Sequence, residues 1–127
     1  MNAAGFAAVG IGAALGAWSR WGLAMALNHV VPAMPLGTLI ANLAGGFLIG
    51  AAFEWFMQHA ALPAEYRLFF ITGFLGSLTT FSAFSLEAVM LLQEARYGWA
   101  MLLIGSHLFG SLAMTLLGFA VVRALTV

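Results

Sequence analysis

ITGFLGSLTTFSAFSLEAV, residues 71–89, mixes two kinds of residue that rarely share a segment. Its flanks are apolar enough for a lipid bilayer. Its centre, residues 76–85, carries five hydroxyl side chains and no charge. Gly73, Gly76 and the adjacent Thr79 and Thr80 all weaken a helix. Threonine and serine hydroxyls can also satisfy the backbone groups that a break releases inside a membrane. The favoured reading is a helix broken near the bilayer midplane. The alternative is a continuous helix whose hydroxyls bond back to the preceding turn. A break would leave unwound carbonyls for a small hard cation and a half-helix N-terminus for an anion.

Composition places this segment in a membrane. The 127 residues are 64% hydrophobic and 6% charged, whereas soluble domains carry roughly 25% charged residues. The chain reads as an all-α integral membrane protein. Lysine and aspartate are absent, and the four arginines balance the four glutamates. No basic patch for nucleic acid results. The lack of cysteine excludes disulfides, thiolate metal sites and cysteine nucleophiles. The first apolar run has no charged leader and no small-residue cleavage site, so it reads as a span.

A helical span needs about 20 apolar residues. Residues 1–19, 21–53, 68–86 and 97–122 are free of Arg and Glu. The second run contains NHVVPAMPLG, and proline disfavours helix at the residue before it. Four transmembrane helices are therefore expected, over about 3–27, 37–57, 66–93 and 98–123. The connections are short, so neighbours run antiparallel in one domain. Arg67 and Arg123 fall on the side of both termini. Arg96 falls on the other side, and Arg20 lies nearer to it. Orientation normally follows such charges. This even division fits either too few charges to matter or a chain that inserts both ways and pairs as an antiparallel dimer. Two GxxxG motifs, at Gly12 and Gly16 and at Gly46 and Gly50, point to close helix packing, chiefly within one bundle.

Polar residues inside the spans are the candidate site. Asn42 must be hydrogen-bonded or face a wet path, because a bare carboxamide in hydrocarbon costs several kcal/mol. Its two readings, helix packing or a donor to a passing solute, stand level. His107, Ser111 and Thr115 are spaced four apart on one helix ridge. His107 has no ligand-type neighbour at helical spacing, so a metal site there is not expected. Arg20 suits a structural or vestibule role. Glu87 is a functional candidate, as intramembrane carboxylates are, whereas Glu54 and Glu94 are expected to be merely solvated. Phe81 and Phe84 share a face and ordinarily would only pack. Yet ring edges are electropositive. With amide hydrogens and hydroxyls they could meet a small anion without a fixed full charge, binding it and still letting it go.

GFLGSLTTFSAFSLE resembles the third-span signature of the Fluc (CrcB) fluoride channels. GTLIANLAGGFLIG and GAALGAWSRW resemble that family's second span and chain start. The likeness covers nearly the whole length. It implies an antiparallel, dual-topology homodimer with two fluoride pores in the bacterial inner membrane. Phe81 and Phe84 would line the path and Asn42 would be its polar residue. Thr80 and Ser82 would lie near the track, with Ser111 and Thr115 joining from the fourth span. The Gly76 and Thr79 carbonyls would hold a structural sodium ion at the dimer centre, and Gly76 should tolerate substitution poorly. Arg20 and Glu87 match family positions of unfixed role. Ser77 and Ala83 depart from the usual glycine and threonine. Tyr97 does not take the place of the tyrosine that many members carry on the fourth span.

No catalytic constellation is present, so an enzyme is not expected. The resemblance implies a channel giving passive export of cytoplasmic fluoride. One rival is a four-span proton-coupled drug exporter, but such carriers rely on a first-span glutamate that is absent here. Another is a non-conducting subunit, which would not need the TTFSAFS segment or the stripe through Ser111.

Overall fold

The computed structural model describes residues 1–127 and is helical throughout, with no strand. Helix α1 spans Ala3–Leu27 and α2 spans Leu36–Gln58. The next stretch is composite. It starts with α3 (Ala64–Arg67), widens into a π-helical segment (Leu68–Leu75), and returns to α-geometry in α4 (Gly76–Leu78). Two extended residues follow, then α5 (Phe81–Gln93). Helix α6 continues past Arg123 and spans Tyr97–Thr126. Helix α2, the composite stretch and α6 are each long and apolar enough to cross a membrane. The chain is thus a multi-pass membrane protein. Helix α1 has the length, at 25 residues, but its glycines, Ser19 and Arg20 dilute its apolar character.

Capping follows local chemistry. The Asn2 side chain accepts from the Gly5 N–H at 2.7 Å and starts α1. Asn28 accepts from the Thr38 N–H at 3.1 Å, satisfying a free donor in the first turn of α2. Between α5 and α6, Ala95 takes φ 56°. The Arg96 N–H then reaches back to the Leu91 carbonyl at 2.9 Å, a Schellman closure.

The helices meet through small residues. Only 22 of 127 residues are buried, with glycine the commonest among them, so the interior is thin and most large apolar side chains face outward. Trp18, Trp21, Phe109 and Leu116 are all exposed. In water such a surface would be a large unpartnered patch; in lipid it is the normal exterior. Both GxxxG motifs pack inside the chain. Gly12 and Gly16 of α1 lie against the Phe69 and Phe74 carbonyls of the π-helical segment. Gly46 and Gly50 of α2 lie against the Ser111 and Thr115 carbonyls of α6. Nothing in LFFITGFL signals a π-helix; such segments are uncommon and cluster at functional sites.

Glu54 is not merely solvated. It accepts from the Arg123 Nε at 3.0 Å, linking the ends of α2 and α6. Glu94 lies 3.6 Å from Arg96. Exposed pairs like the second contribute about 0–1 kcal/mol.

Candidate functional site: a neutral groove at the helix break

The site is built around Thr79 and Thr80, where the backbone leaves helical geometry. Thr79 has φ −85° and ψ 155°, and Thr80 has φ −151° and ψ 119°. Each threonine closes one side of the gap. The Thr79 N–H and Oγ1 both donate to the Leu75 carbonyl, at 3.1 and 2.8 Å, which ends α4. The Thr80 Oγ1 accepts from the Ala83 N–H at 3.1 Å, which caps α5.

Neighbouring helices supply the remaining partners. Asn42 of α2 spans Thr80 as a second peptide group would. Its Oδ1 accepts from the Thr80 N–H at 2.8 Å, and its Nδ2 donates to the Thr80 carbonyl at 2.9 Å. Nδ2 also lies 3.0 Å from the His107 Nδ1 of α6. Arg20 of α1 donates from Nε to the Ser77 carbonyl at 3.0 Å. A cation at the C-terminal end of α4 also suits the helix dipole. Ser77 in turn donates to the Ala13 carbonyl, so its hydroxyl ties the break to α1.

The break frees several backbone carbonyls, those of Gly76 and Thr79 among them. In a continuous helix Gly76 would accept from the Thr80 N–H, and Thr79 from the Ala83 N–H. Those donors go instead to Asn42 Oδ1 and Thr80 Oγ1. The Gly76 and Thr79 carbonyls therefore lack their helical partners. A Cβ on Gly76 would meet only the Ile71 carbonyl, at 3.7 Å. Packing within the chain thus does not demand glycine there.

An open groove of about 620 Å³ runs past the break, between α2, the composite stretch and α6. Asn42, Thr80, Phe81, Phe84, His107 and Ser111 line it, and no charged residue does. Phe81 is 79% exposed. Its ring meets Phe84 edge-on, with centroids 5.4 Å apart and planes at 69°. Phe84 lies over the His107 imidazole at 4.7 Å. The lining thus offers ring edges and hydroxyls but no full charge, so it can receive a small anion weakly.

Gly76 and Thr79 also line the groove, whereas Thr115, Ser82, Glu87 and Arg20 lie outside the lining. Thr115 Oγ1 is bound at 3.0 Å to both the Gly46 and Ser111 carbonyls, where it joins α2 to α6. Ser82 is exposed, its hydroxyl 3.3 Å from that of Thr80. Glu87 stands beside the Thr38 side chain, and its Oε1 is buried without a partner. It forms no ion pair with Arg20, which is engaged at Ser77. The sequence calls for a hydrogen-bond partner at Asn42 but does not identify it as His107; the four-residue spacing of the α6 stripe marks only the face on which His107 lies.

The chain is similar to known proteins along nearly its whole length. The family model described as CrcB-like protein, Camphor Resistance (CrcB), matches residues 7–119. A protein of Nitrosospira multiformis named fluoride-specific ion channel FluC is 60% identical over 116 residues, 91% of each chain. Proteins of the same name from Ralstonia pickettii and Cupriavidus pinatubonensis are 58% and 57% identical. They align over 97% and 98% of this chain, and over 98% and 99% of their own lengths. With the helix break, its TTFSAFS residues and nearly every helical position inside the matched region, the chain belongs to the CrcB family.

Proposed function

We propose that this protein is a fluoride-selective channel that lets the anion leave the bacterial cytoplasm passively. The observation that carries this reading is an uncharged groove, lined by Phe81, Phe84, Thr80 and Ser111, at a helix break in a membrane protein. End-to-end relatives bear the name of a fluoride-specific channel. A buried lysine or arginine would hold a hard anion too firmly, whereas neutral donors release it. Hydrofluoric acid is neutral and enters from acidic surroundings. The anion forms inside, and a negative-inside potential drives it out, so no energy coupling is needed.

The working unit is an antiparallel, dual-topology homodimer of four-span subunits in the inner membrane, with each third span broken near the midplane. Three features support it. The arginines divide evenly between the two sides. The groove is open along one flank. Phe81, at its mouth, is among the most exposed large side chains of the helices. A second copy would cover the ring and turn a groove into a closed path.

The residues at the break also fit a sodium ion at the dimer centre. Hard cations take oxygen ligands, and the Gly76 and Thr79 carbonyls are without their helical donors. Sodium would supply positive charge and order there. A leucine at Gly76 has room within one chain but would project from an exposed position beside that centre. Gly76→Leu is expected to leave the subunit folded and to remove both dimer formation and sodium-dependent flux. A dimeric, fully conductive and sodium-independent variant would refute the cation site.

The test of the function is efflux from liposomes containing purified protein, read with fluoride and chloride electrodes in parallel. Fast fluoride loss with chloride retained is expected. Equal leakage of both ions, or no fluoride loss from correctly inserted protein, would reject the channel. Phe81→Ala should lower fluoride flux by about fivefold to tenfold, given roughly 1–1.5 kcal/mol for an aromatic contact. The dimer should persist on size exclusion.

A further inference from the structure

Asn42 has one amide oxygen and two amide hydrogens, and all three are engaged. Thr80 sets the orientation of the group: its N–H needs the oxygen and its carbonyl needs a hydrogen. The flipped amide would set oxygen against oxygen and hydrogen against hydrogen. The remaining hydrogen on Nδ2 is directed to the His107 Nδ1, 3.0 Å away. A ring nitrogen that faces a donor must accept, so Nδ1 carries no proton and the neutral ring bears its hydrogen on Nε2. His107 is 4% exposed, and its Nε2 is buried with no partner inside the chain. The ring is also held on its face by Phe84. Its rotation is thus limited from two sides.

We infer that His107 is a positioning residue: its Nδ1 accepts the second amide hydrogen of Asn42 and so keeps the carboxamide fastened across the backbone of Thr80. Without that acceptor, one Asn42 hydrogen would be unpaired in an apolar setting, and the amide would gain by rotating toward any other acceptor. Each such rotation loosens Thr80, whose hydroxyl caps α5 directly before Phe81 and Phe84. The orientation of both rings then depends on an acceptor on α6. This inference rests on the proposed channel activity for its effect on flux, though the bond itself does not.

Side-chain geometry provides a discriminating test. An asparagine places its Oδ1 where histidine has Nδ1, at the same number of bonds from the backbone. A glutamine places its amide nitrogen nearer the position of Nε2. His107→Asn is expected to keep fluoride flux within about twofold of wild type, because a buried acceptor is preserved. His107→Gln and His107→Leu are expected to lose about tenfold, because the Asn42 hydrogen is left unpaired. Nitrogen NMR of histidine-labelled wild type in liposomes should show a bare Nδ1 and a protonated Nε2 at neutral pH. Asn42→Leu should shift the Nδ1 resonance. A protonated Nδ1 would overturn the inference. So would His107→Asn as impaired as His107→Leu, or activity preserved by glutamine and lost with asparagine. If the wild type itself moves no fluoride, the channel reading fails, and the imidazole spectrum still decides the role of His107.

Discussion

Asn42→Leu is expected to abolish fluoride flux and to lower the stability of the protein in the same stroke. Leucine keeps the branched shape and heavy-atom count of asparagine but replaces its polar atoms with bulkier methyl groups, so the change removes every hydrogen bond of the carboxamide. The Thr80 N–H and carbonyl would both be stranded at the break. Each buried polar group left unpaired costs about 1–3 kcal/mol, and the two together reach on the order of 2–6 kcal/mol. Asn42→Asp separates the two roles of the carboxamide. One carboxylate oxygen can still accept from the Thr80 N–H. The other would face the Thr80 carbonyl and the His107 Nδ1, both acceptors. Flux should therefore fall at least tenfold, about 1.4 kcal/mol, with a smaller loss of stability than for leucine. Liposome efflux and thermal unfolding in detergent check both variants. Normal flux in the two would remove Asn42 from the working site.

Gly118→Leu is expected to prevent recovery of folded protein. Gly118 of α6 lies on the backbone of α2. A Cβ there would strike the Phe47 carbonyl oxygen and come within 2.7 Å of the Ala51 nitrogen. These are backbone atoms, so no side-chain rotation relieves the clash and the two helices must part. Overpacking in a tight core commonly costs 1–3 kcal/mol, and a leucine between helix backbones should exceed about 3 kcal/mol. Gly105→Ala on the same helix is the control, since nothing lies within 4 Å of a Cβ there. It should be neutral or stabilising by up to about 1 kcal/mol through helix propensity alone. Fluorescence-detected size exclusion after a heating series distinguishes the two. Equal melting temperatures would show that the α2–α6 contact is not limiting for the fold.

The helices are legible in the amino-acid sequence, and their contacts only in part. Long Arg- and Glu-free runs and the proline-bearing NHVVPAMPLG locate α2 and α6 to within a few residues, because span length and charge exclusion are properties of the local chain. The π-helical segment left no such trace. What accompanies it is a tertiary contact, the close approach of α1 through Gly12 and Gly16, and not a pattern in LFFITGFL. Glu54 shows the same limit: its position near a span end suggested simple solvation, but its partner Arg123 comes from a helix far along the chain.

The candidate site divides along the same line. The break at Thr79 and Thr80 was legible because helix-weakening residues act over a few neighbouring positions, whereas the spacing of Phe81 and Phe84 said only that they share a face. The low charge and the hydroxyl-rich centre of one span likewise settled the solvent and pointed to a neutral site. Which donors those residues would meet was decided by packing. Asn42 stands 38 residues from Thr80, and His107 stands 65 residues from Asn42. Hydrogen bonds between such distant residues follow from the register of α2 against both α6 and the break. Glycines facing backbone carbonyls line the α2–α6 contact; the Gly46–Gly50 motif marks the packing face locally, but only the tertiary structure decides which helix meets it and in what register.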